Sequence, residues 1–188
     1  GRFEFVTRAD LAAVAGWWDP NLVTGLDADG VLVLDGWATF DPDGGLAAAA
    51  RHTGERIRVA GYELDELELG YADGVPVVDL AGPAWGRATV SVADGGVASV
   101  TARLRNAPVE GLLAFVAPEV ASAVPGPIGL SGAIDGTVAF PFSLETLGGS
   151  VDLVAVASRG RVAVAATGRA ESWTVRRFEI DAATVHLA

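Results

Sequence analysis

From Ile128 onward the chain alternates. Ile128, Leu130, Gly132, Ile134, Gly136, Val138, Phe140 and Phe142 take every second position, and Gly129, Ser131, Ala133, Asp135, Thr137, Ala139 and Pro141 stand between them. Successive side chains of a strand point to opposite faces, so this pattern predicts one strand with an apolar face and a face of small or polar groups. Held for fifteen residues, it predicts a strand of roughly 50 Å at ~3.3 Å per residue. Ordinary strands run to about 5–6 residues. A strand this long suits an elongated, curved sheet better than a compact globule.

The same alternation recurs in shorter pieces punctuated by Asp-Gly, a pair that accepts the positive φ angles of tight turns. Among its occurrences are Asp29-Gly30, Asp43-Gly44, Asp73-Gly74, Asp94-Gly95 and Asp135-Gly136. Leu67, Leu69 and Tyr71 lead through Asp73-Gly74 into Val75-Pro76-Val77-Val78. Ala88, Val90 and Val92 lead through Asp94-Gly95-Gly96 into Ala98, Val100, Ala102 and Leu104. Both read as antiparallel hairpins. Weaker patterns predict strands over 46–52, 56–60, 151–157, 161–167 and 173–187.

Two segments read as helical. Thr7-Arg8-Ala9-Asp10 resembles a capping box and leads into Leu11, Val14 and Trp18 at helical spacing. The second begins near Pro108, which suits a first helical position. Val109, Leu112, Leu113, Val116 and Val120 share its face, and Pro118 predicts a kink or two short helices. Asp35-Gly36-Trp37-Ala38-Thr39-Phe40 also echoes Asp135-Gly136-Thr137-Val138-Ala139-Phe140, which divides the chain into weak duplicated modules over about 7–105 and 106–188. The expected fold is mainly β: one elongated, curved antiparallel sheet forming a taco-like groove, with two short helices, over a single β-rich segment 1–188.

Composition removes several function classes. No Cys is present, which excludes disulfide scaffolds, thiolate zinc clusters and thiol catalysis. The 13 basic residues are all Arg and face 24 acidic ones, for a net charge of −11, opposite in sign to a nucleic-acid footprint. The chain starts at Gly1 and contains no Met, and it reads as a piece of a longer protein.

Candidate chemistry is sparse. The two histidines, His52 and His186, lie far apart and read as structural or surface groups. Glu63, Asp65, Glu66 and Glu68 alternate with Leu64, Leu67 and Leu69, the pattern of a solvated strand face rather than a cation site. Asp27-Ala28-Asp29-Gly30 and Asp41-Pro42-Asp43-Gly44 echo a calcium loop but lack its later ligands, so they read as turns. No Gly-x-Ser-x-Gly elbow or phosphate loop is present. The residues point to no catalytic site, no metal and no cofactor. The five tryptophans, Trp17, Trp18, Trp37, Trp85 and Trp173, read either as packing or as part of an apolar lining. A single curled sheet leaves its inner apolar face open to an apolar ligand, whereas a two-layer sandwich buries it.

The cadence Leu130-Ser131-Gly132, Gly136, Phe140, a proline-containing link, then Gly148-Gly149-Ser150-Val151-Asp152-Leu153, resembles the TamB proteins of the AsmA-like family, the inner-membrane component of the translocation and assembly module. So do the short helix ahead of Val31-Leu32-Val33-Leu34-Asp35-Gly36 and Leu112-Leu113-Ala114-Phe115-Val116 ahead of the long strand. The resemblance implies an internal periplasmic segment, anchored to the inner membrane through a part absent here. It implies a β-groove that carries phospholipid acyl chains toward the outer membrane, supports assembly of outer-membrane proteins with a barrel partner, and continues into flanking segments of the same chain. It carries over no catalytic residue. The groove lining it implies is the apolar face of the long strands: Leu32, Leu34, Phe40, Ile128, Leu130, Ile134, Val138, Phe140 and Phe142. Two alternatives stand beside it: a closed, non-catalytic β-sandwich serving as an envelope scaffold or interaction module, and, with less support, a hydrolase acting on envelope polymers through paired carboxylates.

Overall fold

The computed structural model describes residues 1–13, 28–41, 45–59, 61–72, 74–93, 97–110, 127–139, 147–158, 160–170 and 172–182. Thirteen strands run in chain order: β1 (Arg2–Asp10), β2 (Val31–Phe40), β3 (Leu46–His52), β4 (Ile57–Val59), β5 (Tyr62–Leu64), β6 (Glu66–Ala72), β7 (Val75–Gly82), β8 (Gly86–Ala93), β9 (Val97–Pro108), β10 (Ile128–Ala139), β11 (Gly148–Ala157), β12 (Gly160–Arg169) and β13 (Ser172–Ala182). Eleven of them form one antiparallel sheet, each strand beside its neighbour in sequence apart from the β4–β5 hairpin, which stands alone between β3 and β6. The sheet is not closed: β1 and β13 are its two edges. The mainly β, single-sheet expectation holds.

Register carries the alternation across the whole sheet. On one face Phe5 stands opposite Gly36, Gly36 opposite Ala50, and Ala50 opposite Leu69. Further along, Leu69 meets Val78, Val78 meets Val90, Val90 meets Val100, and Val100 meets Gly136. A parallel row ends Ile134, Val151, Ala166, Val175. A one-residue slip at any pairing would put these groups on the polar face, so the apolar pattern itself holds the register.

The opposite face is charged, and its charges are spaced for one another. Glu66, Ala81, Arg87, Arg103, Ala133, Asp152, Ala165 and Arg177 form one cross-strand row from β6 to β13. Alanine sits on the middle strand wherever a pair spans it. Arg87 donates to Glu66 across Ala81 at 2.5 Å, and Arg177 to Asp152 across Ala165 at 2.5 Å. Arg103 turns instead to Asp135 at 3.1 Å, and the Thr89 hydroxyl donates to Asp79. These pairs are solvent-exposed, so each contributes little. Arg87→Gln should move the urea midpoint by less than the equivalent of about 1 kcal/mol.

Several local expectations need correction. Thr7 does not cap a helix: β1, absent from the sequence-based reading, runs through it to Asp10. The cap is Asp10, whose carboxylate accepts the Ala13 N–H at 3.1 Å as the chain turns helical over residues 11–13. Val14, Trp17 and Trp18 lie outside the described residues. Pro108 ends β9, and only Val109 and Glu110 after it are described as helical; Leu112, Leu113, Val116, Pro118 and Val120 lie outside. The acidic run is two strands, since the chain breaks at Asp65 between β5 and β6. Asp135-Gly136 is strand interior and not a turn. So is Asp35-Gly36, where glycine is required by close approach: a Cβ at Gly36 would lie 2.4 Å from the Ala49 carbonyl oxygen. The long strand is described as far as Ala139, and the last strand as far as Ala182.

Candidate functional site

The β4–β5 hairpin lies on the apolar face and makes the main core. Ile57, 1% exposed, and Leu64 bury themselves against Leu32, Leu67, Trp85 and Ala107, with Leu34, Leu69, Val78, Leu80, Ala88 and Leu104 around them. Polar ties fix the hairpin at both sides. Asp29 and Arg58 exchange backbone hydrogen bonds at 2.9 and 2.8 Å just ahead of β2. The Tyr62 hydroxyl donates to the Pro108 carbonyl at the end of β9, at 2.5 Å. Trp85 donates its indole N–H to Glu63 O at 2.8 Å and meets Tyr62 edge-on, with ring centroids 5.7 Å apart.

This arrangement shows the curvature. Five strand spacings separate β2 from β9 in the sheet order, roughly 24 Å in a flat sheet at about 4.8 Å each. One two-stranded hairpin reaches both, so the sheet curls around its apolar face. The bend is helped where neighbouring backbones close on glycine. Gly86 (φ +112°) and Gly132 (φ +131°) both stand opposite Leu104, and a Cβ on them would meet carbonyl oxygens of Arg103 and Asp152 at 2.1 and 2.0 Å. Beside them β9 bulges: Arg105 and Asn106 oppose Ser131 alone, with Asn106 at φ 52° donating its N–H to the Ser131 hydroxyl at 2.8 Å.

The apolar face thus has two halves. From β2 to β9, at the end where β2 begins, the hairpin fills it. The hairpin leaves the half from β10 to β13 uncovered: among the described residues none of those strands belongs to its core or packs against it. The expected lining residues divide accordingly. Leu32 is buried under the hairpin and Leu34 packs against it. Phe40 lies at the opposite end, 49% exposed and stacked on Phe3 at 5.5 Å. Ile128, Leu130 and Ile134 are half-buried on β10, in the uncovered half. Val138 continues their register opposite Ala98; Phe140 and Phe142 lie outside the described residues. Sequence reasoning missed the most exposed apolar groups of this face, Val175, Phe178 and Ile180 on edge strand β13, about 60% exposed. The alternation of Phe178 and Ile180 with Arg177, Glu179 and Asp181 was there to be read. At the end of the uncovered half lies an apolar pocket of about 230 Å³, lined by Ile128, Ala155, Ala157, Val162 and Ile180.

The tryptophans do not line this face together. Trp85 is core, Trp37 stands on the polar face with the Arg2 guanidinium 5.0 Å above its ring, and Trp173 donates to Ala170 O at 2.9 Å at the β12–β13 turn. His52 ties a turn in place. Its Nε2 lies 2.7 Å from the Glu55 carbonyl oxygen, and its Nδ1 lies 3.1 Å from both the Val33 N–H and the Val33 carbonyl. His186 lies outside the described residues. Two clefts of about 890 and 530 Å³ are on the charged face. In the larger, Glu66 pairs with Arg87, Arg103 with the neighbouring Asp135 and Asp152 with the neighbouring Arg177, and Asp65 and Arg105 line it as well. Among the described residues no cluster of three His, Asp or Glu stands close enough to hold a metal ion, and no helix is long and apolar enough to cross a membrane. No protein-family model, no curated protein and no solved structure matches the chain.

Proposed function

We propose that this chain is a periplasmic segment of a lipid-carrying β-groove, non-catalytic, whose apolar face holds phospholipid acyl chains moving between the inner and outer membranes. One observation carries the reading. Eleven strands keep their apolar positions in phase on one face of an unclosed sheet, the half from β10 to β13 lies outside the hairpin's core among the described residues, and its Val175, Phe178 and Ile180 stand about 60% exposed. Burying an acyl chain there removes apolar area from water on both partners, worth about 25 cal/mol per Å². The sequence resemblance to TamB proteins supports the same role, together with its links to outer-membrane protein assembly, a barrel partner and flanking segments of the same chain. The hairpin-filled half favours a second reading for β2–β9, that of a scaffold holding the curvature.

Native mass spectrometry on the chain purified from a bacterial host without harsh detergent, followed by lipid extraction, tests this. The expected result is bound phospholipid, reduced about tenfold by Phe178→Asp, since a carboxylate on the face opposes burial of an alkyl chain. Phe178 is 62% exposed, so thermal unfolding should be nearly unchanged. A clean apo mass, with cooperative unfolding, overturns the lipid role and leaves the scaffold.

A further inference from the structure

We propose that β1 is a self-association edge, through which two copies of this chain pair antiparallel about a two-fold axis at Val6. The proposal goes beyond the groove reading and does not depend on it. β1 is one edge of the sheet, and all of its residues except Phe5 and Ala9 are exposed. Its register on β2 is unbroken from Arg2 to Asp10, with no bulge and no proline to discourage a further strand. The other edge, β13, is interrupted by a bulge between Val175 and Arg177. Backbone bonds tie the odd positions of β1 to β2: Gly1 O accepts the Phe40 N–H at 2.8 Å, and the Leu11 N–H donates to Gly30 O at 3.0 Å. Bonded and non-bonded positions alternate along an antiparallel pair. The N–H and C=O of Glu4, Val6 and Arg8 therefore point out of the sheet, where no strand meets them among the described residues.

The side chains at these outward positions select the partner. In order they are Arg2, Glu4, Val6, Arg8 and Asp10: positive, negative, apolar, positive, negative. Laid antiparallel on itself about Val6, the strand sets Arg2 opposite Asp10, Glu4 opposite Arg8 and Val6 opposite Val6. Every such pair joins positions whose backbone groups face outward. Opposite charges directly across an antiparallel pair stabilise it, and like charges destabilise it. A shift of two residues one way puts Arg2 opposite Arg8, and the other way Glu4 opposite Asp10. A shift of one residue turns the apolar face of one copy to the charged face of the other. The strand is also locally neutral in a chain of net charge −11, so this edge adds nothing to the repulsion between copies. Val6, 72% exposed, gains an apolar neighbour at the axis. Arg2 already lies 5.0 Å from the Trp37 ring and 3.7 Å from Glu4, contacts that are exposed and weak. A two-fold axis normal to the sheet keeps both apolar faces on one side, so each eleven-stranded sheet continues into the other.

Sedimentation equilibrium on the 188-residue chain should show a reversible dimer that weakens as salt is raised. Arg8→Glu places a carboxylate opposite Glu4 on both sides of the axis and should raise the dissociation constant about tenfold. Glu4→Arg should do the same, and the two substitutions together should restore the dimer. Both positions are exposed, so thermal unfolding should be nearly unchanged in all three variants. The chain has no Cys, which lets a single introduced thiol report the register. Hydrogen-bonded partners in an antiparallel pair have Cα atoms about 5.5 Å apart, inside the roughly 4.4–6.8 Å that a disulfide spans. On oxidation Val6→Cys should therefore link two copies, whereas Arg2→Cys, which faces Asp10, should not. A chain that stays monomeric overturns the proposal. So does a dimer indifferent to Arg8→Glu, a double variant that fails to pair, or equal linking through Arg2→Cys and Val6→Cys, because the copies then meet elsewhere or in another register. None of these outcomes changes whether the apolar face holds lipid.

Discussion

Trp85→Ala is expected to cost the fold about 3–5 kcal/mol, a large share of the 5–15 kcal/mol typical of a domain. Trp85 is 6% exposed and belongs to the only cluster that joins β2, β6 and β9 to the hairpin among the described residues. Truncation leaves a cavity where the indole stood and deprives the Glu63 carbonyl of its donor. The urea midpoint should fall with little change in slope, and amide exchange should rise first in β4 and β5. Trp37→Ala serves as the comparison. That ring lies on the polar face under Arg2, so its loss should cost much less. Equal losses from the two tryptophans would remove the hairpin from its place as the main core. The substitution has a functional reading too, because loosening the hairpin exposes Leu32, Leu67 and Leu104. Trp85→Ala should therefore take up more of an apolar dye than the native chain, with the increase confined to the β2–β9 half.

Gly132→Ala should be about as damaging, at about 2–6 kcal/mol from backbone strain and overpacking together. The residue sits at φ +131°, and its new Cβ would lie 2.0 Å from the Asp152 carbonyl oxygen. Backbone is the obstacle, so no rotamer change relieves it. Either β10 and β11 separate, or β10 abandons the conformation it adopts beside the bulge in β9. Gly70→Ala is the control: its Cβ would meet nothing closer than 3.9 Å and φ is ordinary there. Thermal unfolding of the two variants, with amide exchange across β10 and β11, separates a local strain from a general intolerance of side chains in the sheet. If Gly132→Ala melts with Gly70→Ala, the close approach of the two strands is wrong.

Much of the fold was legible because alternation is a local property. The hairpins at Leu67–Val78 and Ala88–Leu104 declared themselves through period 2 and a central Asp-Gly. The β10 pattern named Ile128, Leu130 and Ile134 as one face before any partner was known. β1 was lost because Arg2-Phe3-Glu4-Phe5-Val6 passes directly into Thr7-Arg8-Ala9-Asp10, and the capping motif competed for the same residues. The β4–β5 hairpin was half-read, as a strand over 56–60, because three-residue strands carry too few alternations to specify a pair. Asp35-Gly36 and Asp135-Gly136 show the limit of motif reading: each has turn chemistry, yet each lies inside a strand whose neighbour comes too close for a side chain.

The amino-acid order by itself determined which groups share a face, because side-chain direction in a strand depends only on parity along the chain. It also set the polarity of the two faces, down to the alanines that let Glu66 reach Arg87 and Asp152 reach Arg177. It did not determine what lies over the apolar face. The same alternation serves a closed sandwich or an open sheet, and the choice rests on contacts between residues distant in sequence. Tertiary structure decided that the strands form one unclosed sheet, that the sheet curls until β2 and β9 touch the same hairpin, and that the hairpin fills one half of the face. It also set Arg161 opposite Asp181 on the charged face, a pairing fixed by the register of β12 on β13 and invisible in either strand alone.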